Sequence, residues 1–230
     1  MMAANRPRTA ADVRNVREVI LEGRADYRYW QEQLAPAGLI PYRDGDRVVM
    51  LISVTDLRWM GRRFRELSIL VALCQSDGCG APDGYYLIHA YNTSRLFALA
   101  ERLFFRTPYN HAAIDLQHRH PAHFALRDGE QTLLGGTMAA GDIATASAQN
   151  DYWEGPVYLP DASGQPSRSH FFVILSGPTA VYPFSHGDGF TFAAQTSVPA
   201  VRALSDCRFA PSAWRLRAAA RHLKTATVRA

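Results

Sequence analysis

The stretch "RVVMLISVTDLRWM" (Arg47–Met60) is a β-branched, apolar run, and such a composition is typical of a buried strand. Two further runs follow it, "ELSILVALC" (Glu66–Cys74) and "GYYLIHAYN" (Gly84–Asn92). Turn-forming residues such as those of "SDGCGAPDG" separate the runs. Three runs of this kind in succession predict a chain that is built mainly from β-strands.

Shorter strand-like runs continue this pattern towards the C-terminus: "HAAIDL" (111–116), "AHFALRD" (122–128), "TLLGGTM" (132–138), "DIATASA" (142–148), "HFFVILSG" (170–177) and "FTFAAQ" (190–195). Glycine and proline interrupt the chain at intervals of roughly eight to twelve residues, which is typical of a β-barrel or sandwich. We therefore expect one mainly β (α+β) domain, largely antiparallel, over residues 1–230.

Three segments show helical rather than strand-like spacing. Thr9 can cap a first helix, with an apolar stripe at Val13, Val16, Ile20 and Leu21, so residues 1–40 are predicted to be an N-terminal helical segment that ends at "APAGLIP". The segment "TSRLFALAERLFF" (93–105) predicts a short inserted helix that ends before Pro108. "SAWRLRAAARHL" (212–223) is interpreted as a final short helix.

The charge distribution argues against nucleic acid as a partner. The 230 residues carry a net charge of +4, but the basic residues are scattered instead of being gathered on one face. Of the 25 basic residues, 24 are arginine and one is lysine, Lys224. Arginine stays protonated and forms no Schiff base, whereas lysine can lose its proton and can form one. The chain has therefore almost excluded lysine chemistry.

The three cysteines, Cys74, Cys79 and Cys207, have no framework spacing and are interpreted as free thiols in a reducing compartment. No apolar run approaches the roughly 18 residues that span a bilayer. The N-terminal residues contain no apolar segment of a secretory signal. We therefore expect a cytoplasmic protein without a membrane partner.

Three stretches together resemble the acetoacetate decarboxylase superfamily: "VTDLRWMGRRFRELSILVALC" (54–74), "GYYLIHAYNTSRLFALAERLFFRTPYNHA" (84–112) and "TLLGGTMAAGD" (132–142). The pattern is most similar to a group of uncharacterised bacterial relatives, which "FRELSILV" (64–71) and "TPYNHA" (107–112) follow nearly residue by residue. The resemblance covers residues 47 to 150 well and the remainder loosely.

The resemblance implies a cone-shaped antiparallel β-barrel with a buried pocket, and a homo-oligomer of two or more chains. In the decarboxylase a pocket lysine forms a Schiff base with a β-keto acid, and glutamates assist it. The strand glutamate carries over as Glu66, but Leu103 stands where the second acid would be, next to the retained Arg102. Gly141 occupies the position of the lysine, and Lys224 in the terminal segment is not assumed to replace it.

Strand alternation selects the remaining candidates. Alternate residues of a strand share a face, so Glu66 is expected to face the same way as Ser68, and His89 the same way as Tyr91. If both faces point into the barrel, Glu66, His89 and Tyr91 converge on an apolar pocket. Burial there would raise the pKa of a carboxyl and suit it to general acid–base catalysis, beside a histidine that shuttles protons.

The stretch "RTPY" (106–109) ends a helix and is also expected to bring Tyr109 and His111 to the mouth of the barrel. The predicted catalytic set is therefore Glu66, His89, Tyr109 and His111, with Tyr91 and Arg102 binding substrate. Non-catalytic interpretations of these residues remain open. Glu66 can be a solvent-exposed residue at the edge of a strand, His89 a hydrogen-bonded residue of the core, and Arg102 a member of a structural ion pair. The histidines of "HRHPAH" (118–123) are interpreted as a surface turn and not as a metal site.

Two functions follow. The first is a small-molecule enzyme without a cofactor or Schiff-base lysine: a lyase, cyclase or isomerase that acts on a keto acid or polyketide-like compound in specialised metabolism. The alternative is a non-catalytic ligand-binding or structural member of the superfamily, whose pocket is filled by Phe104, Phe105 and Phe171. We favour the enzyme because polar groups are costly to bury without use.

Overall fold

A computed structural model describes residues 8–76, 78–193 and 196–229. Its strands are β1 (Thr9–Asp26), β2 (Ile40–Pro41), β3 (Arg43–Asp44), β4 (Arg47–Trp59), β5 (Arg62–Cys74), β6 (Gly84–Asn92), β7 (Tyr109–His111), β8 (Ala113–Gln117), β9 (His123–Asp128), β10 (Gln131–Thr137), β11 (Ala146–Pro160), β12 (Pro166–Pro183), β13 (Gly189–Phe192) and β14 (Ala210–Thr225). The helices are α1 (Tyr27–Leu34), α2 (Arg95–Ala100) and α3 (Pro199–Asp206), with a short 3₁₀ turn (Ala35–Ala37) after α1 and a π-helical turn (Glu101–Phe105) after α2.

Two sheets form the fold. The larger has ten strands, in the order β2-β5-β4-β1-β14-β12-β11-β6-β7 with β3 beside β4, and the smaller has four, in the order β13-β10-β9-β8. Pairing of β5 with β6 curls the larger sheet back on itself. The seam between β6 and β11 is parallel and joins only Tyr85–Tyr86 to Val157–Tyr158, so the barrel is not strictly closed. The predicted mainly β architecture is confirmed, but two of its pairings are parallel.

The predicted N-terminal helix is wrong over residues 9–26, which form the long strand β1 between β4 and β14. The three-residue spacing of Val13 and Val16 that suggested a helix comes from a β-bulge: Val13 pairs with His222, but Val16 pairs with Ala220. Asn15, in the bulge, has a positive φ of 56°. Helix begins only at Tyr27. Residues 1–7 lie outside the described residues.

The predicted final helix is also wrong, because residues 210–225 form β14. Its alanine-rich centre favours helix intrinsically, but β14 lies between β1 and β12 and pairs with both. Pairing along both edges satisfies the backbone of the whole segment, which overrides local propensity. The two ends of the described chain thereby become neighbouring strands.

The inserted helix is confirmed as α2 with its π-helical turn. Ser94 caps it, because its Oγ accepts a hydrogen bond from the backbone N–H of Phe97 at 3.4 Å. Phe97 packs against Phe64 of β5, with ring centroids 4.5 Å apart, so the inner face of α2 is attached to the barrel wall. The segment thus covers one end of the barrel.

The main core lies between the two sheets, under α1 and α3. Trp214 of β14 is fully buried there and contacts Phe124 of β9, with ring centroids 6.0 Å apart. Two smaller apolar clusters form on the other side of the large sheet, below α2. A gap between them forms the cavity described below. Among the described residues, no helix is long and apolar enough to cross a membrane.

Other predictions need smaller corrections. Cys74 and Cys79 form a disulfide, because the turn after β5 brings their Cα atoms within 5.9 Å. The free-thiol prediction is therefore wrong for these two, and Cys207 alone is a free, buried thiol. The strand predicted over 142–148 begins at Ala146. In "FTFAAQ", residues 194 and 195 lie outside the described residues, as does residue 77 of the turn after β5.

Candidate active site

A row of polar side chains crosses one face of the large sheet. Glu18 of β1 pairs with Thr55 of β4, Thr55 pairs with Glu66 of β5, and Glu66 pairs with Asn92 of β6. Directly paired residues on neighbouring strands share a face, so these four side chains lie side by side. On the far side of Glu18 the row continues to Arg217 of β14.

The row borders a cavity of about 210 Å³, and Glu18, Thr55 and Glu66 line it. Apolar side chains make up most of the remaining wall, among them Leu57, Phe64, Leu70, Leu87, Phe105 and Phe171. The cavity is smaller than the range of about 300–1,000 Å³ typical of sites for drug-sized ligands, which favours a small ligand. Phe105 and Phe171 line the cavity without filling it, and the Phe104 side chain is 77% exposed at the surface.

The carboxyl of Glu66 has a strongly raised pKa in this cavity. Burial, together with the negative charge of Glu101, raises its pKa to about 7, although Lys224 and hydrogen bonds from Asn92 and Tyr109 act in the opposite direction. The Nδ2 of Asn92 donates to Oε1 of Glu66 at 2.9 Å. Glu66 can therefore exchange a proton close to neutral pH.

The single lysine of the chain lies in the same cavity. Nζ of Lys224 is 2.6 Å from Oε2 of Glu101, and it lies 4.4 Å and 4.8 Å from the ring centroids of Phe171 and Phe105. A lysine of β14 and a carboxylate of the π-helical turn thus line the cavity together with Glu66. Lys224 is not assumed from the sequence to replace the family lysine, because it lies in the terminal segment. That segment is the strand β14, in which His222 and Lys224 share one face.

Tyr109 also lies in this cavity and is buried. Burial, together with the charges of Glu66 and Glu101, raises the pKa of its hydroxyl well above the usual value. The hydroxyl therefore keeps its proton and can donate a hydrogen bond. Of the predicted catalytic residues, the structure brings together Glu66 and Tyr109.

Buried ionic groups surround the Glu18 end of the row. The Oε2 of Glu18 accepts a hydrogen bond from Nη1 of Arg217 at 3.0 Å, and its Oε1 accepts one from Oγ of Ser53 at 2.8 Å. Nη2 of Arg217 also donates to Asp151 at 2.6 Å. Burial opposes ionisation of Glu18, but the charges of His222 and Arg217 and these hydrogen bonds outweigh it and lower the pKa to about 2.

His89 and Tyr91 do not join Glu66, so the prediction that the three converge is wrong. A bulge at Ile88 shifts the phase of β6: Leu87 pairs with Leu70, yet His89 pairs with Ile69. Tyr85 and Leu87, before the bulge, line the cavity of Glu66. Beyond the bulge, Asn92 pairs with Glu66 and lies on the face where strict alternation would put Tyr91. His89 and Tyr91 line a second, wider cavity instead.

In this second cavity the imidazole of His89 hydrogen-bonds with Nδ2 of Asn110 at 2.9 Å, and burial lowers its pKa to about 4. Burial and the charge of Asp128 raise the pKa of Tyr91 to about 12. His111 is exposed and also borders the second cavity. Arg102 is exposed on the π-helical turn and lines neither cavity, whereas its neighbour Glu101 points into the first.

Comparison with known proteins supports the fold. No protein-family model and no curated protein matches the chain. Among solved structures, acetoacetate decarboxylase from Legionella pneumophila is 12% identical, with a TM-score of 0.61 over 99% of this chain and 91% of that one. The enduracididine biosynthesis enzyme MppR complexed with pyruvate is 13% identical, with a TM-score of 0.62 over 97% and 90%. An acetoacetate decarboxylase-like enzyme from Sphingomonas wittichii RW1 is 13% identical, with a TM-score of 0.59 over 95% and 93%. At these identities the similarity concerns the fold alone.

Proposed function

We propose that the cavity of Glu66 is the active site of an enzyme that performs acid–base chemistry on a small carbonyl acid, a β-keto or 2-oxo acid. One observation carries this proposal: a carboxyl with a pKa of about 7 lies in an apolar cavity beside the Lys224–Glu101 pair. A titratable group in an apolar pocket with a specific charged partner is typical of catalytic sites. The pyruvate bound to MppR, a protein of the same fold, is in keeping with this substrate class.

Each of the three polar groups has a role in such a reaction. Glu66 donates a proton to, or accepts one from, the reacting carbonyl compound. The ammonium of Lys224 attracts the substrate carboxylate or the oxyanion of an enolate, and the low dielectric of the apolar wall strengthens this attraction. The hydroxyl of Tyr109 donates a further hydrogen bond. This set supports enolisation, and therefore lyase, cyclase or isomerase reactions that start from an enolate, without a covalent intermediate.

A second mechanism uses Lys224 as a nucleophile. The primary amine would add to the substrate carbonyl and release water, leaving an imine that can withdraw electrons from the adjacent bond. The position of Lys224 in the cavity supports this route. However, Nζ is 2.6 Å from Oε2 of Glu101 in an ion pair and makes cation–π contacts with Phe105 and Phe171, and we therefore prefer the non-covalent mechanism.

The two mechanisms predict different behaviour of Lys224 variants. Lys224→Arg keeps a positive charge but cannot form an imine, whereas Lys224→Met removes both properties. The non-covalent mechanism predicts that Lys224→Arg retains much of the turnover and that Lys224→Met loses it. Covalent catalysis predicts that both variants are inactive. Borohydride with substrate should then also add a stable mass to the wild-type chain and to neither variant.

The first experiment is an NMR assay of product formation over a panel of β-keto, 2-oxo and aromatic keto acids, with thermal shift measured in parallel. Glu66→Gln should abolish turnover by removing the titratable group, and Glu130→Gln, at an exposed position in the turn after β9, should match the wild type. If a ligand raised the melting temperature of all variants equally and none showed turnover, the proposed enzymatic function would be rejected. The non-catalytic, ligand-binding alternative would then be favoured.

The similarity in fold to a biosynthetic enzyme, MppR, also supports a role in specialised metabolism. We further propose that the protein works as a homo-oligomer. Light scattering coupled to gel filtration measures the mass directly, and a monomer at every protein concentration would reject the oligomer. Predicted roles for His89, His111, Tyr91 and Arg102 belong to neither mechanism, because none of these residues lines the cavity of Glu66.

A further inference from the structure

A second proton-accepting side chain lies in the cavity of Glu66. His222 precedes Lys224 by two residues on β14, and its imidazole lines the same cavity. Nε2 of His222 is buried 3.5 Å from Oε2 of Glu18 and has no hydrogen-bond partner among the described residues. A substrate in this cavity is therefore beside an imidazole as well as the carboxyl of Glu66.

Glu18 is suited to position this imidazole. Its carboxylate is nearly fully buried, and hydrogen bonds from Arg217 and Ser53 hold it in place. An ionised carboxylate next to an imidazole orients the ring and stabilises the imidazolium that forms when the ring accepts a proton. Since Glu18 stays ionised far below neutral pH, it can serve His222 across the whole working range.

Thr55 lies between Glu66 and Glu18, the carboxylate that faces His222. It pairs with Glu18 on one side and with Glu66 on the other, and its Oγ1 is buried without a partner among the described residues. Two strand spacings of about 4.8 Å place the Cα atoms of Glu18 and Glu66 about 10 Å apart. A buried hydroxyl without a partner is costly, so a ligand that supplies a hydrogen bond at this point would be favoured.

We propose that His222 is a catalytic proton-transfer residue, that Glu18 positions it, and that Glu66 and His222 act on separate atoms of one substrate held between them by Thr55. The inference rests on the proposed function of the cavity. It specifies the reaction step as reversible enolisation of a substrate with a C–H bond next to its carbonyl group.

The step balances without any further reactant. Neutral His222 takes the proton from the carbon next to the carbonyl, and the electron pair of that C–H bond becomes the C=C bond of the enol. The π pair of the carbonyl takes the proton of Glu66. The products are a neutral enol, a Glu66 carboxylate and a His222 imidazolium paired with Glu18. Return of the carbon proton from solvent-exchanged imidazolium incorporates solvent hydrogen into the substrate.

Exchange into pyruvate and acetoacetate in D₂O tests the step directly, by ¹H NMR after subtraction of the uncatalysed rate. His222→Gln should lower the enzymatic exchange about 100-fold or more, the usual size of a general-base contribution, and added imidazole should partly restore it. Thr55→Val should lower kcat/KM about tenfold, as expected for one lost hydrogen bond. His186→Gln, at an exposed turn before β13, is the matched control and should exchange like the wild type.

Rescue by imidazole and the pH profile together separate catalysis from a structural role. Glu18 faces His222 from β1. Arg217 and Lys224 are the charged groups near His222 on β14, and the residue of β12 that pairs with His222 is the apolar Leu175. Exchange in the wild type should fall at alkaline pH, where Glu66, with a pKa of about 7, has lost its proton. The residual exchange of His222→Gln should keep this alkaline limb, whereas Glu66→Gln should lose it.

Each outcome has one meaning. Wild-type exchange in folded His222→Gln, with loss in Glu66→Gln, overturns the role of His222 and leaves the proposed function in place. Absence of exchange and turnover in the wild type over the whole panel rejects both. If His222→Gln fails to fold, the exchange rate of His222→Asn is measured instead. A folded, inactive variant whose exchange is not restored by added imidazole also counts against the proposal.

Discussion

At the scale of single residues, the environment divides two glutamates of one sheet face into opposite ionisation states. Glu18 is surrounded by cationic and hydrogen-bond donors and has a pKa of about 2, whereas Glu66 is buried near another carboxylate and has a pKa of about 7. Two carboxyls with separated pKa values are a frequent arrangement for acid–base chemistry. Only Thr55 separates them along the row.

The charges next to Glu66 should shift its titration in opposite directions. Glu101→Gln removes a negative charge that disfavours the carboxylate, so the pKa of Glu66 should fall. Lys224→Met removes a positive charge that favours the carboxylate, so the pKa should rise. Titration of the side-chain carboxyl ¹³C signals measures both, with Glu66 assigned by its absence in Glu66→Gln. Shifts in the same direction would contradict the charge assignment, and Glu130→Gln should produce none.

At the scale of elements, bulges decide which side chains enter the cavity. The bulge at Ile88 sends His89 and Tyr91 to the second cavity, and the bulges of β1 and β14 place Glu18 opposite Arg217. The register of β12 against β14 also shifts between Ser176 and Ala180, a stretch that contains Gly177. Gly177 has a φ of 147°, and a Cβ there would lie 2.9 Å from Cα of Ala220, so only glycine allows this close approach.

Gly177→Ala should therefore weaken the contact between β12 and β14. We expect a loss of roughly 1–3 kcal/mol in the free energy of unfolding, the usual cost of overpacking, measured by urea denaturation. Gly189→Ala is the matched control, because a Cβ at Gly189 in β13 meets no atom within 4 Å. Equal stability of the two variants would show that β14 can move away from β12 without cost. Turnover by Gly177→Ala should also fall, since β14 carries His222 and Lys224.

At the scale of the whole molecule, the ion cluster at Glu18 joins distant parts of the chain. Glu18 lies on β1, Arg217 on β14 and Asp151 on β11, and the two ion pairs of Arg217 connect the three strands. The same cluster forms one end of the polar row. Stability and the geometry of the cavity therefore depend on the same residues.

This cluster predicts a specific pH dependence of stability. The folded state lowers the pKa of Glu18 from 4.5 to about 2, so its contribution is fully present above the unfolded pKa and is lost as pH falls between these values. The shift corresponds to about 3 kcal/mol. Glu18→Gln should flatten the decline of the unfolding free energy in this window, as measured by urea titrations at successive pH values. Glu130→Gln should keep the wild-type slope, and an equally steep decline in Glu18→Gln would disprove the assignment.

Two residues predicted from the sequence lie in the cavity that we propose as the active site. The strand motif placed Glu66 on β5, and the "RTPY" stretch identified Tyr109, and both lie in the cavity. Alternation failed on β6, because one bulged residue reverses the face of every residue beyond it and leaves no clear local signal. Glu101 was overlooked because the motif placed the acid at Leu103, whereas the π-helical turn brings Glu101 inwards.

The sequence by itself determined the local structure of the central segments: β4, β5, β6 and the helix α2 all follow from apolar runs, turn residues and a capping residue at Thr93 or Ser94, of which the structure shows Ser94. Only the tertiary structure decided that residues 9–26 and 210–225 are strands, because their mutual pairing, more than 180 residues apart in the chain, outweighs their helical propensity. That pairing also brought His222 and Lys224 into the cavity of Glu66. Periodicity along one segment contains no information about which distant strand will lie beside it, and in this protein the distant strand β14 supplies two of the candidate residues.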